Sequence, residues 1–238
     1  MIHIFPCLSD NYGFLLHDPI SRLTASIDSP DATEIDKQCT DHGYTLTHIF
    51  NTHHHFDHVG GNLELKQKHG LTIIGPKDDE ARIPGIDVTY ADGDIFKFGQ
   101  FDIHMIATPG HTKGHCAYYI PKLASAFVGD TLFALGCGRL FEGSAAQMFD
   151  SIGKLRALPD ATKIYCAHEY TLANGAFALS VDPHNEDLQA YMETAKDLRA
   201  QGQATIPTNI AREKSANPFV RAKNALEFAT LRQAKDNF

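Results

Sequence analysis

Apolar and polar residues alternate along Phe101-Asp102-Ile103-His104-Met105, the two-residue period of a half-buried strand. Asp92-Gly93-Asp94 and Gly99-Gln100 supply turn residues before it, so hairpins are expected there. His48-Ile49-Phe50, Leu71-Thr72-Ile73-Ile74 and Lys163-Ile164-Tyr165-Cys166 are short apolar runs that read as buried strands. Up to about residue 168 such strands alternate with two helical stretches. One spans roughly Asn62 to His69 and stops at Gly70, a residue suited to a helix C-terminus. The other begins at Ser144, with Gln147 three residues on as a capping box requires. It places Met148, Ile152 and Leu155 on one face before Pro159. From residue 171 the texture becomes helical: Leu172–Leu179, Asp187–Ala200 and Asn224–Lys235, broken at Asp182-Pro183 and Ile206-Pro207. The expectation is an α/β part over residues 1–170, helices covering packed sheets, with a small helical domain at 171–238.

The composition excludes several classes. A chain of 238 residues with 43% hydrophobic and 21% charged residues can bury an ordinary core. A net charge of −8 is unsuited to a partner held through nucleic-acid phosphates. No run approaches a membrane span, and the start Met1-Ile2-His3-Ile4-Phe5-Pro6 lacks a secretory pattern. The five cysteines, 7, 39, 116, 137 and 166, are odd in number and have no C-x-x-C spacing, so they read as buried thiols. A cytoplasmic monomer is the expectation.

The chemistry concentrates in Thr52-His53-His54-His55-Phe56-Asp57-His58, four imidazoles and a carboxylate at the end of a strand. Neutral imidazole and carboxylate are the common ligands of divalent transition metals. His111, Asp130 and His168 follow at long range, each at or just past a predicted strand end. His53 and His55 can converge on one ion with His111, and Asp57 and His58 on a second with His168. Asp130 is left to bridge, with Asp57 able to orient a bridging water or hydroxide. Paired metals suit hydrolysis. His54 points opposite to its neighbours and is not counted as a ligand. Asp28 and His115 are candidates for holding the ligands in place.

The T-H-H-H-x-D-H run with His111, Asp130 and His168 in that order resembles the metallo-β-lactamase superfamily, which implies a four-layer αββα sandwich with metals at one edge of its sheets. A narrower resemblance, to glyoxalase II (the hydroxyacylglutathione hydrolases), lies in four further segments. They are Thr108-Pro109-Gly110-His111-Thr112-x-Gly114-His115, Gly129-Asp130-Thr131-Leu132-Phe133, Gly136-Cys137-Gly138-Arg139-Leu140-Phe141-Glu142-Gly143 and Cys166-Ala167-His168-Glu169-Tyr170-Thr171. The terminal Leu231–Phe238 also resembles that family's last helix. The resemblance implies hydrolysis of S-D-lactoylglutathione to D-lactate and glutathione, the second step of methylglyoxal removal. It also implies two divalent ions, zinc foremost with iron or manganese compatible, and a glutathione site at Arg139, Phe141, Tyr170, Arg232 and Lys235. Some family members carry tyrosine where Phe141 stands and lysine where Arg139 stands. The alternatives are a one-iron persulfide dioxygenase, a lactonase or β-lactamase without the cationic site, a nuclease, and a non-catalytic zinc module.

Overall fold

The computed structural model describes residues 1–238. Contacts divide the chain into two compact units, Met1–Ala107 with Gly114–Leu123, and Thr108–Lys113 with Ala124–Phe238.

In the first unit β1 (Ile2–Cys7) and β2 (Asn11–His17) form an antiparallel hairpin, and β3 (Thr24–Ile27) adds antiparallel to β2. The sheet then continues parallel through β4 (His48–Phe50), β5 (Thr72–Pro76) and β6 (Val88–Tyr90). Parallel neighbours need crossovers, and helices supply them. α1 (Ala32–His42) links β3 to β4; the short α2 (Phe56–Val59) and α3 (Asn62–His69) link β4 to β5. Phe5, Leu15, Ile35, Leu46, Ile49, Leu65 and Ile73 close the core of these helices on the sheet. β7 (Ile95–Phe98), β8 (Phe101–Ala107) and β9 (Cys116–Ile120) form an antiparallel meander. The turns at Gly93 and Gly99 sit where the sequence put them, both at positive φ.

In the second unit β10 (Ser125–Gly129) runs parallel to β13 (Lys163–Cys166), with β14 (Thr208–Asn209) antiparallel to β13. β11 (Leu132–Phe133) and β12 (Gly136–Cys137) form a separate small hairpin. α4 (Ala145–Arg156) is capped at Ser144 by the expected reciprocal box with Gln147, and Met148, Ile152 and Leu155 are buried. α5 (Thr171–Val181), α6 (Glu186–Ala200), α7 (Ile210–Ala216), α8 (Pro218–Arg221) and α9 (Ala225–Asp236) follow.

Two expectations are corrected. The region before residue 168 holds more than two helices: α1 buries only Ala32, Ile35 and Cys39, too few apolar positions to stand out. After residue 200 two further helices, α7 and α8, start at the asparagine caps Asn209 and Asn217. No helix is long and apolar enough to cross a membrane.

Candidate active site

In the first unit the histidine run leaves β4 in an extended path and turns into α2, with His55 as the residue before the helix. Side chains alternate along extended chain. His53 Nε2 and His55 Nδ1 therefore approach to 3.0 Å, while His54 Nδ1 lies 3.0 Å from Asp79 Oδ2. Asp28, at φ 57 just after β3, organises the rest. Its carboxylate accepts from the Thr52 backbone N–H at 2.7 Å and from the Thr52 hydroxyl at 2.8 Å. It also accepts from His58 Nδ1 at 2.7 Å. Because the Thr52 hydroxyl donates to Asp28, it accepts from His53 Nδ1 at 3.0 Å. His53 and His58 thus both carry their proton on Nδ1 and keep Nε2 unprotonated. These two donor atoms lie within 4.8 Å of each other. Asp57 Oδ2 is 3.4 Å from His58 Nε2 and is held by Asn11 Nδ2 at 3.0 Å. His115 sets its ring 4.8 Å from that of His53.

In the second unit the three distant candidates meet. His111 sits on the loop at Gly110, whose φ of +149 brings it against Met148 of α4, so near that a Cβ would lie 2.8 Å from the Met148 Cβ. Asp130 directly follows β10, and His168 follows β13, at the carboxyl ends of two parallel strands. His111 Nδ1 donates to the Arg139 carbonyl at 2.9 Å, which turns Nε2 toward Asp130 Oδ2 at 3.3 Å. His168 Nε2 faces the other carboxylate oxygen, Oδ1, at 3.4 Å. The His168 ring stacks on Tyr170, centroids 4.8 Å apart and planes within 1°. All three side chains are buried. A carboxylate that gives one oxygen to each of two imidazole nitrogens has the form of a bridging ligand. His111 Nε2, left without a proton by the Nδ1–H bond to Arg139, faces a carboxylate oxygen at 3.3 Å; two lone pairs so placed are reconciled by a cation, and the donor set fits divalent metal ions.

Next to His111 and Asp130 the second unit holds a cavity of about 390 Å³. Arg139, Phe141, Tyr170, Arg232 and Lys235 all line it, so the five residues expected at the substrate site share one cavity. Arg232 is not the solvated helix end that a terminal basic residue suggests: it is 3% exposed. Its guanidinium donates to the Cys137 carbonyl at 2.9 Å and to Asp236 Oδ1 at 2.8 Å, while Nε has no partner. Burial, then the Arg232 charge beside it, pulls the Lys235 ammonium below its ordinary pKa. Burial pushes the Cys137 thiol up to about 11 despite the neighbouring Arg232, so it stays a neutral thiol at pH 7. Arg139 and Phe141 are exposed at the rim, Phe141 edge-on to His111 at 5.1 Å. Asn11, which steadies Asp57, and Asn174, which donates to the Ala134 carbonyl at 3.1 Å, were not singled out in the sequence. Neither belongs to a motif, and only the fold brings them to their partners.

Comparison with known proteins agrees with this arrangement. The metallo-β-lactamase superfamily model matches residues 41–168, and the hydroxyacylglutathione hydrolase C-terminus model matches residues 169–238. The hydroxyacylglutathione hydrolase of Maricaulis maris is 52% identical, covering all of this chain and 98% of its own length. That of Brucella anthropi is 51% identical over all of this chain and 96% of its own. Among solved structures, ETHE1 from Myxococcus xanthus superposes with a TM-score of 0.75 at 28% identity, over 98% of this chain and 90% of that one. The fold is therefore the mixed α/β metallo-β-lactamase fold with a C-terminal helical extension, and the chain belongs to the hydroxyacylglutathione hydrolase family.

Proposed function

We propose that this protein hydrolyses S-2-hydroxyacylglutathione thioesters, S-D-lactoylglutathione foremost, to the hydroxy acid and glutathione. The observation that carries the reading is Asp130, one carboxylate oxygen toward His111 and the other toward His168, at the edge of a cavity bearing three cationic side chains. His53, His55 and His111 would hold one ion, Asp57, His58 and His168 the other, and Asp130 both. Two divalent ions, zinc by preference and iron or manganese by the same ligand chemistry, would supply a water acidic enough to react near neutral pH and would polarise the thioester carbonyl.

The remaining work falls to the chain itself. Asp28 keeps Thr52 and His58 in place, and through Thr52 it keeps His53 in the tautomer that ligation needs. Asn11 fixes the Asp57 carboxylate, which can then orient the attacking water. Glutathione carries two carboxylates. In a protein of net charge −8, Arg139, Arg232 and Lys235 form the local cationic patch able to hold them. Phe141 and Tyr170 offer ring faces to the tripeptide between those anchors and His111. The leaving thiolate has a conjugate acid of pKa ~8.5, so its departure needs no dedicated general acid. In this division of labour residues 1–170 provide the chemistry together with Arg139, Phe141 and Tyr170, and residues 171–238 add Arg232 and Lys235 to the glutathione site.

The test is hydrolysis of S-D-lactoylglutathione by protein stripped of metal and reconstituted separately with zinc, iron or manganese. Turnover should vanish on stripping and return with at least one metal. Absence of hydrolysis with all three, or oxygen uptake with glutathione persulfide instead, would overturn the reading.

A further inference from the structure

His54 stands between two proposed ligands without being one, and Gly114 recurs in the segment before His115 with no chemistry of its own. Both meet at Asp79. β5 ends at Pro76, and a single 3-10 turn, Lys77–Asp79, carries Asp79 inward until its carboxylate has no exposure. Oδ2 lies 3.0 Å from His54 Nδ1. Oδ1 accepts from Arg82 Nε at 2.9 Å and also from the Arg82 Nη2. Arg82 Nη1 closes the ring 3.4 Å from His54 Nε2. A guanidinium can only donate, so His54 Nε2 accepts and Nδ1 carries the proton that goes to Asp79. This pattern holds the imidazole at both nitrogens. Gly114 fits the same clamp: a Cβ there would lie 2.3 Å from Asp79 Oδ1.

We propose that Asp79, braced by Arg82, is a positioning residue for the metal site: it grips His54 and so fixes the backbone on which His53 and His55 face each other before any ion arrives. Gly114 is glycine because the Asp79 carboxylate and the Asp78 backbone occupy the space beside it. The proposal rests on reading His53 and His55 as metal ligands. The principle is that of any preorganised site, in which groups behind the ligands are worth roughly 10–100-fold in metal affinity.

The experiment measures metal affinity by competition with a chromophoric chelator, together with the visible spectrum of the cobalt-substituted protein. Asp79→Asn nearly keeps the volume but has one oxygen for two sets of donors, so its N–H₂ must face either His54 or the Arg82 that braces it. If His54 switches tautomer to suit it, Nε2–H then faces the Arg82 donor. The expected result is a loss of roughly 10-fold or more in affinity and a shifted cobalt spectrum, with the far-ultraviolet circular dichroism unchanged. Wild-type affinity and spectrum in Asp79→Asn would overturn the clamp while leaving the ligand assignment standing. Wild-type protein that binds no metal would overturn the ligand assignment itself. Should Asp79→Asn fail to fold, Gly114→Ala is compared alone and together with Asp79→Ala. Gly114→Ala should weaken metal binding in the wild-type background and cost less once the carboxylate is gone, the residual cost coming from the Asp78 backbone carbon 2.8 Å from the added Cβ, whereas fully additive losses would refute the proposal.

Discussion

Glu213 is the most demanding buried group outside the proposed ligand set, and its replacement makes a sharp test of how the cavity is held. It lies on α7 with no exposure. Oε2 accepts from the Leu135 backbone N–H at 2.9 Å and from Asn217 Nδ2 at 2.8 Å. Oε1 accepts from the Thr208 hydroxyl at 2.7 Å and the Tyr191 hydroxyl at 3.4 Å. Leu135 is the turn residue of the β11–β12 hairpin, in a left-handed conformation at φ 60, and that hairpin carries the Cys137 carbonyl on which Arg232 rests. Glu213→Ala strands the Leu135 N–H and costs the two hydroxyls their acceptor, while Asn217 Nδ2 keeps the Phe133 and Gly136 carbonyls. At about 1–3 kcal/mol for a buried donor left unmade, and with the hydroxyls free to turn elsewhere, the loss should be roughly 1–3 kcal/mol. Glu213→Gln keeps an oxygen for Leu135 and Asn217 and turns its N–H₂ to the two hydroxyls, so its cost is far smaller.

The pH dependence has a definite sign. Burial raises the Glu213 pKa above its ordinary 4.5 in spite of the hydrogen bonds that oppose it. The folded state therefore binds this proton more tightly than the unfolded state. The stability tied to it is fully present below about 4.5 and is lost as pH rises through the folded value. Glu213→Gln lacks that loss, so relative to wild type it should gain stability between about pH 4.5 and 7. Urea midpoints of the metal-loaded proteins at pH 5 and pH 7.5 measure both effects. A Glu213→Ala loss below about 0.5 kcal/mol, or a Gln-to-wild-type difference that does not move with pH, would refute this account of the hairpin anchor.

Other perturbations separate stability from chemistry. Ser144→Ala removes the cap of α4 and should lower stability by about 1 kcal/mol in a thermal melt without changing KM. Arg232→Met with Lys235→Met should raise KM for glutathione thioesters tenfold or more and spare short thioesters that lack the tripeptide; equal losses on both would remove the anion site from the scheme. Gly138→Ala would place a Cβ 1.9 Å from the Asp130 carbonyl oxygen, so the loop bearing Asp130 must shift. A displacement near 1 Å at a reacting centre costs roughly 100-fold in turnover, which lactoylglutathione hydrolysis would register.

The sequence announced the donors and concealed what aims them. Imidazole and carboxylate are demanded by the chemistry of a divalent ion, so His53, His55, Asp57, His58, His111, Asp130 and His168 are visible as types at strand ends. Four of the strands, β4, β5, β8 and β13, were equally visible, β4 and β13 to the residue, because their apolar positions mark them. The aiming groups obey no such rule. Any acceptor at the right place will hold a histidine N–H, and Asp28 reaches His58 across 30 positions while Asp79 reaches His54 across 25. Glu213 falls in no motif and was not singled out, and Arg232 was visible only through the family resemblance; the partners that hold these two buried side chains lie 78 and 95 residues away. The short α7 and α8 went unseen for the same reason, being held by Asn209, Asn217 and Glu213 rather than by an apolar stripe. Polar residues whose work is done at long range carry no local periodicity. A donor motif by itself therefore leaves open how firmly each ligand is held, and in this chain that depends on three buried carboxylates outside the ligand set: Asp28 at His58 and Thr52, Asp79 at His54, and Glu213 beneath the hairpin that carries the floor of the anion cavity.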